Sequence, residues 1–100
     1  MYDIIIVGGG PAGLTAAIYA CRAAKQVLII EKSAFGGQMT YSPRVENYPG
    51  VKSASGSEIA DMMLEQATSL GAEVEVDTVT GIKLNPDGTK TVAGESGEYR

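Results

Sequence analysis

Residues Tyr2 to Val7 (YDIIIV) make a short, nearly continuous β-branched run. The run is too short for a helix and too apolar for a half-exposed strand, so it predicts a central strand buried on both faces. Three glycines come next. From Pro11 to Ala24, Leu14, Ala17, Ile18 and Cys21 recur at helical spacing, which predicts a helix with a small-residue face suited to close packing on a sheet. Val27 to Ile30 (VLII) predicts a second buried strand, ending at Glu31. Strand, helix and strand within about thirty residues form one βαβ unit with an expected right-handed crossover.

The rhythm breaks from Lys32 to Ser57, where Gly36, Gly37, Pro43, Pro49, Gly50 and Gly56 punctuate a stretch without clear period. A loop of that length in a compact domain is usually functional or disordered. Order resumes at Ser55, which stands three residues before Glu58 as a capping box. Ile59, Met62, Met63, Ala67 and Leu70 draw one helical face, and Gly71 suits the C-terminal cap. Ala72, Val74 and Val76 then alternate with Glu73, Glu75 and Asp77, predicting a third strand with one wet side. Asn85-Pro86-Asp87-Gly88 is a turn signal between strands at Gly81–Leu84 and Thr89–Ala93. Glu98-Tyr99-Arg100 reads as a strand entered and not finished. The expected fold class is α/β: a Rossmann-like βαβ nucleotide-binding fold with a mostly parallel sheet and a small antiparallel hairpin, incomplete at its C-terminus.

Composition narrows the function classes. With 100 residues the chain has room for one small domain of radius of gyration ~13 Å, short for an enzyme holding a large cofactor and a second substrate. Twelve acids against 8 bases, a net charge of -4, give no electrostatic footprint for nucleic acid. Histidine is absent, which removes the commonest general base and metal ligand. One cysteine builds neither a disulfide framework nor a zinc cluster, so no metal site is expected. Cys21 shares the apolar helix face with Ile18 and Leu14, where a free cysteine acts as a small hydrophobe. No apolar run approaches the ~20 residues that span a bilayer, so no membrane is expected. The first strand begins at Tyr2, leaving no room for a basic leader, and the expected compartment is the cytoplasm.

Gly8, Gly10 and Gly13 fit G-x-G-x-x-G. Alone the pattern is weak; here it succeeds a strand, opens a helix and has an acid, Glu31, about twenty residues on. Gly8 allows the tight turn, Gly10 lets a pyrophosphate approach the backbone, and Gly13 lets the helix press on the strand. The helix N-terminus offers unpaired N–H groups and partial positive charge to phosphates. Pro11 suits the first turn, where its missing N–H costs nothing. Glu31 is placed to accept from ribose hydroxyls, and its charge disfavours a 2′-phosphate there. These features point to dinucleotide binding.

Two further segments are more specific. Gly36-Gly37-Gln38-Met39-Thr40 and Val45-Glu46-Asn47-Tyr48-Pro49-Gly50, together with the opening DIIIVGGGPAGLTAAIYACRA, strongly resemble the N-terminal flavin-binding segment of bacterial-type thioredoxin reductases. The resemblance covers essentially the whole chain, more weakly through the second helix and hairpin. It implies that the glycine loop holds FAD, with Gly8, Gly10, Pro11, Ala12 and Gly13 around the pyrophosphate and Glu31 on the adenosine ribose. It places Gly37, Gln38 and Thr40 along the ribityl–pyrophosphate stretch, Asn47 near the flavin and Val79 near the adenine. Every one of these is a binding residue; no catalytic acid, base or nucleophile is expected within the chain.

Such reductases also carry a second glycine loop for NADPH and a C-x-x-C pair that exchanges electrons with the flavin. This sequence contains neither. The expectation is therefore that residues 1–100 are the N-terminal part of an FAD-binding domain from a longer NADPH-dependent enzyme whose partner is a thioredoxin-like protein. A homodimer is open to it. Related ferredoxin–NADP and peroxiredoxin-linked reductases remain alternatives, as does a non-catalytic chain without bound cofactor.

Overall fold

The computed structural model describes all 100 residues as two three-stranded sheets and two helices. Strand β1 (Ile4–Val7), helix α1 (Pro11–Arg22) and strand β2 (Val27–Glu31) form the expected βαβ unit. Helix α2 (Gly56–Ser69) leads into strand β3 (Glu73–Val76). The three strands are parallel in the order β1-β2-β3.

That order corrects the reading of the first strand. The central strand is β2, and β1 lies at the sheet's edge with Ile4 and Val7 exposed. The continuous apolar run of β2 has a two-sided cause. Val27 and Ile29 pack in the cluster with Leu14, Ala17, Ile18, Ile59 and Met63 from the helices. Leu28 and Ile30 pack on the opposite face against Val92. Burying each of these four side chains stabilises the fold by roughly 1.5–3 kcal/mol. The third strand, expected to be dry on one side, is the other edge and exposed at all four residues. Ala72, just before it, and Asp77, just after it, are buried.

Both helix ends obey local chemistry. Ser55 caps α2: its Oγ accepts from the Glu58 N–H at 3.1 Å, and the Glu58 carboxylate accepts from the Ser55 N–H at 3.0 Å. At the far end the Ala72 N–H donates to the Ala67 carbonyl and the Gly71 N–H to that of Thr68, a Schellman closure. The buried face of α2 runs through Gly56, Ile59, Ala60, Met63 and Ala67. Met62 and Leu70, expected on that face, are half exposed. Met62 points about 110° away from the stripe's centre at ~100° per residue, and Leu70 lies past the last helical turn.

The second sheet is antiparallel, β4 (Val79–Leu84), β5 (Lys90–Gly94) and β6 (Glu98–Tyr99), so the expected hairpin gains a paired third strand. The turn at Asn85–Gly88 closes through Asn85 N–H to the Thr89 carbonyl at 2.8 Å. Most of β4 stands clear of the body, with Ile82 and Leu84 exposed. This arm lengthens the molecule to 49 Å and raises its radius of gyration to 14.6 Å, above the ~13 Å of a compact chain of this size.

The long connection between β2 and α2 is not structureless. A 3-10 helix spans Gly37–Tyr41, and Val45 pairs with Ala54 as an antiparallel bridge. The Gly56 N–H donates to the Ser42 carbonyl at 2.8 Å, fastening the loop to the start of α2.

Candidate functional site

Parallel pairing puts the carboxyl ends of three strands side by side, with Val7 opposite Ile30 and Glu31 opposite Val76. The residues that leave the three strands therefore converge: Gly8 after β1, Lys32 after β2, and Asp77, Thr78 and Val79 after β3. These residues, with Val7, Ile30 and Glu31, line a cavity of ≈ 320 Å³. The carboxyl edge of an open α/β sheet is where such folds take ligands. The cavity brings together Gly8, Glu31 and Val79 from the residues singled out in the sequence.

The glycine loop has the shape expected of a phosphate cradle. Gly8 sits at φ +115 with nothing within 4 Å of where a Cβ would stand. Gly10 is the N-cap of α1, and a Cβ there would meet only the Gly37 Cα, at 3.9 Å. Neither position is closed by protein, so a ligand has room against the backbone. A Cβ on Gly13, in contrast, would overlap the Gly8 carbonyl oxygen and crowd Ile6. Gly13 is thus a packing glycine, and the other two leave open space.

Helix α1 begins with Pro11 at its first position, with no side-chain cap and no acid in its first turn. Leu14 is the first amide to return to the loop, donating to the Gly10 carbonyl at 2.9 Å. The Ala12 and Gly13 N–H groups precede that bond, at the positive end of the helix dipole, and make an anion site.

Glu31 does more than stand at a strand end. Its Oε1 accepts from the Gly9 N–H at 2.9 Å, and its Oε2 from the Ser33 N–H at 2.8 Å and hydroxyl at 3.2 Å. The Gly9 bond is the main cause that holds its carboxyl below the usual range, aided by Ser33 and opposed by partial burial. The acid stays ionised, fixes the glycine loop, and keeps lone pairs for hydroxyl donors.

The second glycine pair docks on the first. The Gly36 N–H donates to the Gly9 carbonyl at 2.6 Å, and Gly37 lies across from Gly10. Gln38 is exposed on the 3-10 helix. Thr40 commits its hydroxyl hydrogen to the Gly37 carbonyl at 2.8 Å, retaining its oxygen lone pairs. Asn47 is exposed on the limb between Val45 and Ala54 and makes no side-chain hydrogen bond to the glycine loop. The structure therefore gathers Gly8, Gly10, Pro11, Ala12, Gly13, Glu31, Gly37 and Val79 around the carboxyl edge, with Gln38 and Thr40 adjoining and Asn47 apart.

Residues 3–95 match the model of the FAD dependent oxidoreductase family. The chain belongs to that family. It is 42% identical to the thioredoxin reductase of Bacillus subtilis over 100 residues, which covers all of this chain and 31% of that protein. The thioredoxin reductase of Peptoclostridium acidaminophilum is equally similar, at 42% over 102 residues and 32% of its length. Among solved structures, the thioredoxin reductase of Streptococcus pyogenes superposes with a TM-score of 0.92 at 43% identity, over 99% of this chain and 32% of that one. The chain thus spans about a third of the length of the relatives it matches.

Sequence reasoning missed part of the cavity's lining. Lys32, Asp77 and Thr78 line the cavity, yet Asp77 reads in the sequence as the wet side of a strand. In the structure it is buried, 6% exposed. The rule that singles out Glu31, a residue at a strand's carboxyl end, applies equally to the residues after Val76. Cys21 is half buried and packs against the helix core, in keeping with its place on the apolar face. No helix is long and apolar enough to cross a membrane.

Proposed function

We propose that residues 1–100 are the N-terminal part of an FAD-binding domain in an NADPH-dependent thioredoxin-disulfide reductase. The observation that carries this reading is the meeting, at one carboxyl edge, of an open glycine loop, an uncapped helix N-terminus, an ionised Glu31 and the Val79 wall. Anionic phosphates suit the helix end, a ribose suits the carboxylate, and a flat apolar base suits Val79. In this assignment Gly8, Gly10, Pro11, Ala12 and Gly13 surround the pyrophosphate. Gly37, Gln38 and Thr40 line its path toward the ribityl chain, and Asn47 reaches the flavin.

The flavin, when bound, accepts a hydride and passes electrons onward; this chain's part is to bind and orient it. The NADPH site and the cysteine pair belong to segments outside these residues, and the electron acceptor is a thioredoxin-like protein. The proposed setting is the cytoplasm, where a homodimer is open to it.

Titration of FAD with the chain, monitored by flavin fluorescence, tests the reading. The expected result is saturable binding, weakened about tenfold or more by Gly10→Ala, equivalent to ~1.4 kcal/mol or more. Saturable binding that Gly10→Ala leaves unchanged overturns the placement of the pyrophosphate at the glycine loop. A folded chain with no affinity for FAD overturns binding by these residues alone and favours the non-catalytic alternative.

A further inference from the structure

We propose that Asp77 and Tyr99 form a positioning pair that fixes the Thr78–Val79 wall of the nucleotide cavity from the antiparallel sheet; the inference rests on the dinucleotide reading above. Asp77 is held from three sides. Its Oδ2 accepts from the Tyr99 hydroxyl at 2.7 Å, its Oδ1 from the Ser96 N–H at 3.1 Å, and the same oxygen from the Thr78 N–H at 2.8 Å. The backbone N–H of Asp77 donates to the Glu31 carbonyl at 3.0 Å. One residue therefore ties the end of β2, the cavity wall and the β5–β6 turn together.

Both backbone polar groups of Thr78 are thereby occupied. Its N–H goes to the Asp77 carboxylate, and its carbonyl accepts from the Glu95 N–H at 3.0 Å. Val79 comes next, paired with Gly94 beside an irregularity in the β4–β5 register. A Cβ on Gly94 would overlap the Asp77 carboxylate, so the acid fills the space that this glycine leaves. A wall that carries one end of a ligand must be rigid before binding, or its ordering is subtracted from affinity. The clamp supplies that rigidity through hydrogen bonds to the backbone of the wall, with Tyr99 outside the cavity lining, so the pair acts through Thr78 and Val79.

The test uses the full chain with Tyr99→Phe, which removes one hydroxyl, and Asp77→Asn, which keeps the side chain's shape. Asn85→Ala serves as control. Asn85 braces the far turn of the same sheet through Thr89 and Thr91, at 3.1 and 2.9 Å, so its loss loosens the sheet away from the cavity. The expected result is FAD affinity lowered about tenfold in both positioning variants, with the absorption spectrum of bound flavin unchanged. Asn85→Ala is expected to lower Tm and leave FAD affinity unaltered. Affinities within about twofold of the unsubstituted chain in both variants overturn the inference and leave the dinucleotide reading standing. An altered flavin spectrum, or an equal affinity loss in Asn85→Ala, also overturns it, because the effect is then general loosening. Absence of FAD binding by the unsubstituted chain overturns the dinucleotide reading, and this inference with it.

Discussion

The Glu31 carboxylate accepts from the Gly9 N–H at 2.9 Å, so the acid at the end of β2 is bonded to the middle of the glycine loop. The two residues stand at the ends of neighbouring parallel strands, and neither could fix the other without that pairing. Their bond lowers the carboxyl's pKa from 4.5 and keeps the loop in one shape.

A carboxyl held below its unfolded value contributes stability above pH 4.5 that is lost as pH falls through the folded value. Amide exchange at Gly9 should accelerate beyond the intrinsic rate change as pH falls below 4.5. In Glu31→Gln the same amide should be less protected at neutral pH, because one amide side chain cannot accept from both Gly9 and Ser33 through two oxygens. Equal protection of Gly9 in the two proteins would refute this role.

Glycines of the loop should separate by effect. Gly13→Ala places a Cβ on the Gly8 carbonyl oxygen, so the chain should lose cooperative unfolding or drop by about 2 kcal/mol or more. Gly10→Ala adds a methyl to open space, so its stability from urea unfolding should stay within about 0.5 kcal/mol of the parent while FAD binding falls. Equal destabilisation by both substitutions would show that the loop's openness is irrelevant.

Ala24 carries φ +62 just past α1, where the Lys25 N–H donates to the Ala20 carbonyl and the Ala24 N–H to that of Cys21. It is a Schellman closure built on a residue with a Cβ. Ala24→Gly should stabilise the chain by about 1 kcal/mol, seen as a higher urea midpoint at constant slope. A lower midpoint would mean that the added freedom of the unfolded chain outweighs the relieved strain.

The Tyr99 phenol is pushed up to about 12, first by its bond to Asp77, then by burial and by the charges of Asp77 and Glu75. Its stabilisation is complete below pH 10.0 and is lost as pH rises through about 12. Asp77 is held below 3.8, first by Tyr99, so its share is present above pH 3.8 and lost in acid. Tyr99→Phe should flatten the fall in stability between pH 10.0 and about 12 relative to the parent. Urea midpoints across that interval check this; parallel slopes would contradict it.

The local steps of the chain were decided by the sequence. The βαβ unit, the Ser55–Glu58 box, the Gly71 closure and the Asn85–Gly88 turn each rest on residues a few positions apart, so nearest-neighbour chemistry specifies them. The same holds for the glycine loop and for Glu31, whose spacing comes from one strand, one helix and the next strand. Strand order was not local. An apolar run fits a centre or an edge equally well, and only the packing of α1 and α2 on one face of β2, and Val92 on the other, put β2 in the middle. The helical register of α2 likewise chose Ala60 over Met62 for its core face. Asp77 shows the limit most clearly. In the sequence it alternates like a solvent-facing acid. Its burial depends on Ser96 and Tyr99, 19 and 22 residues away, arriving with N–H and O–H donors that replace water. That exchange of solvent for distant partners is set by tertiary structure.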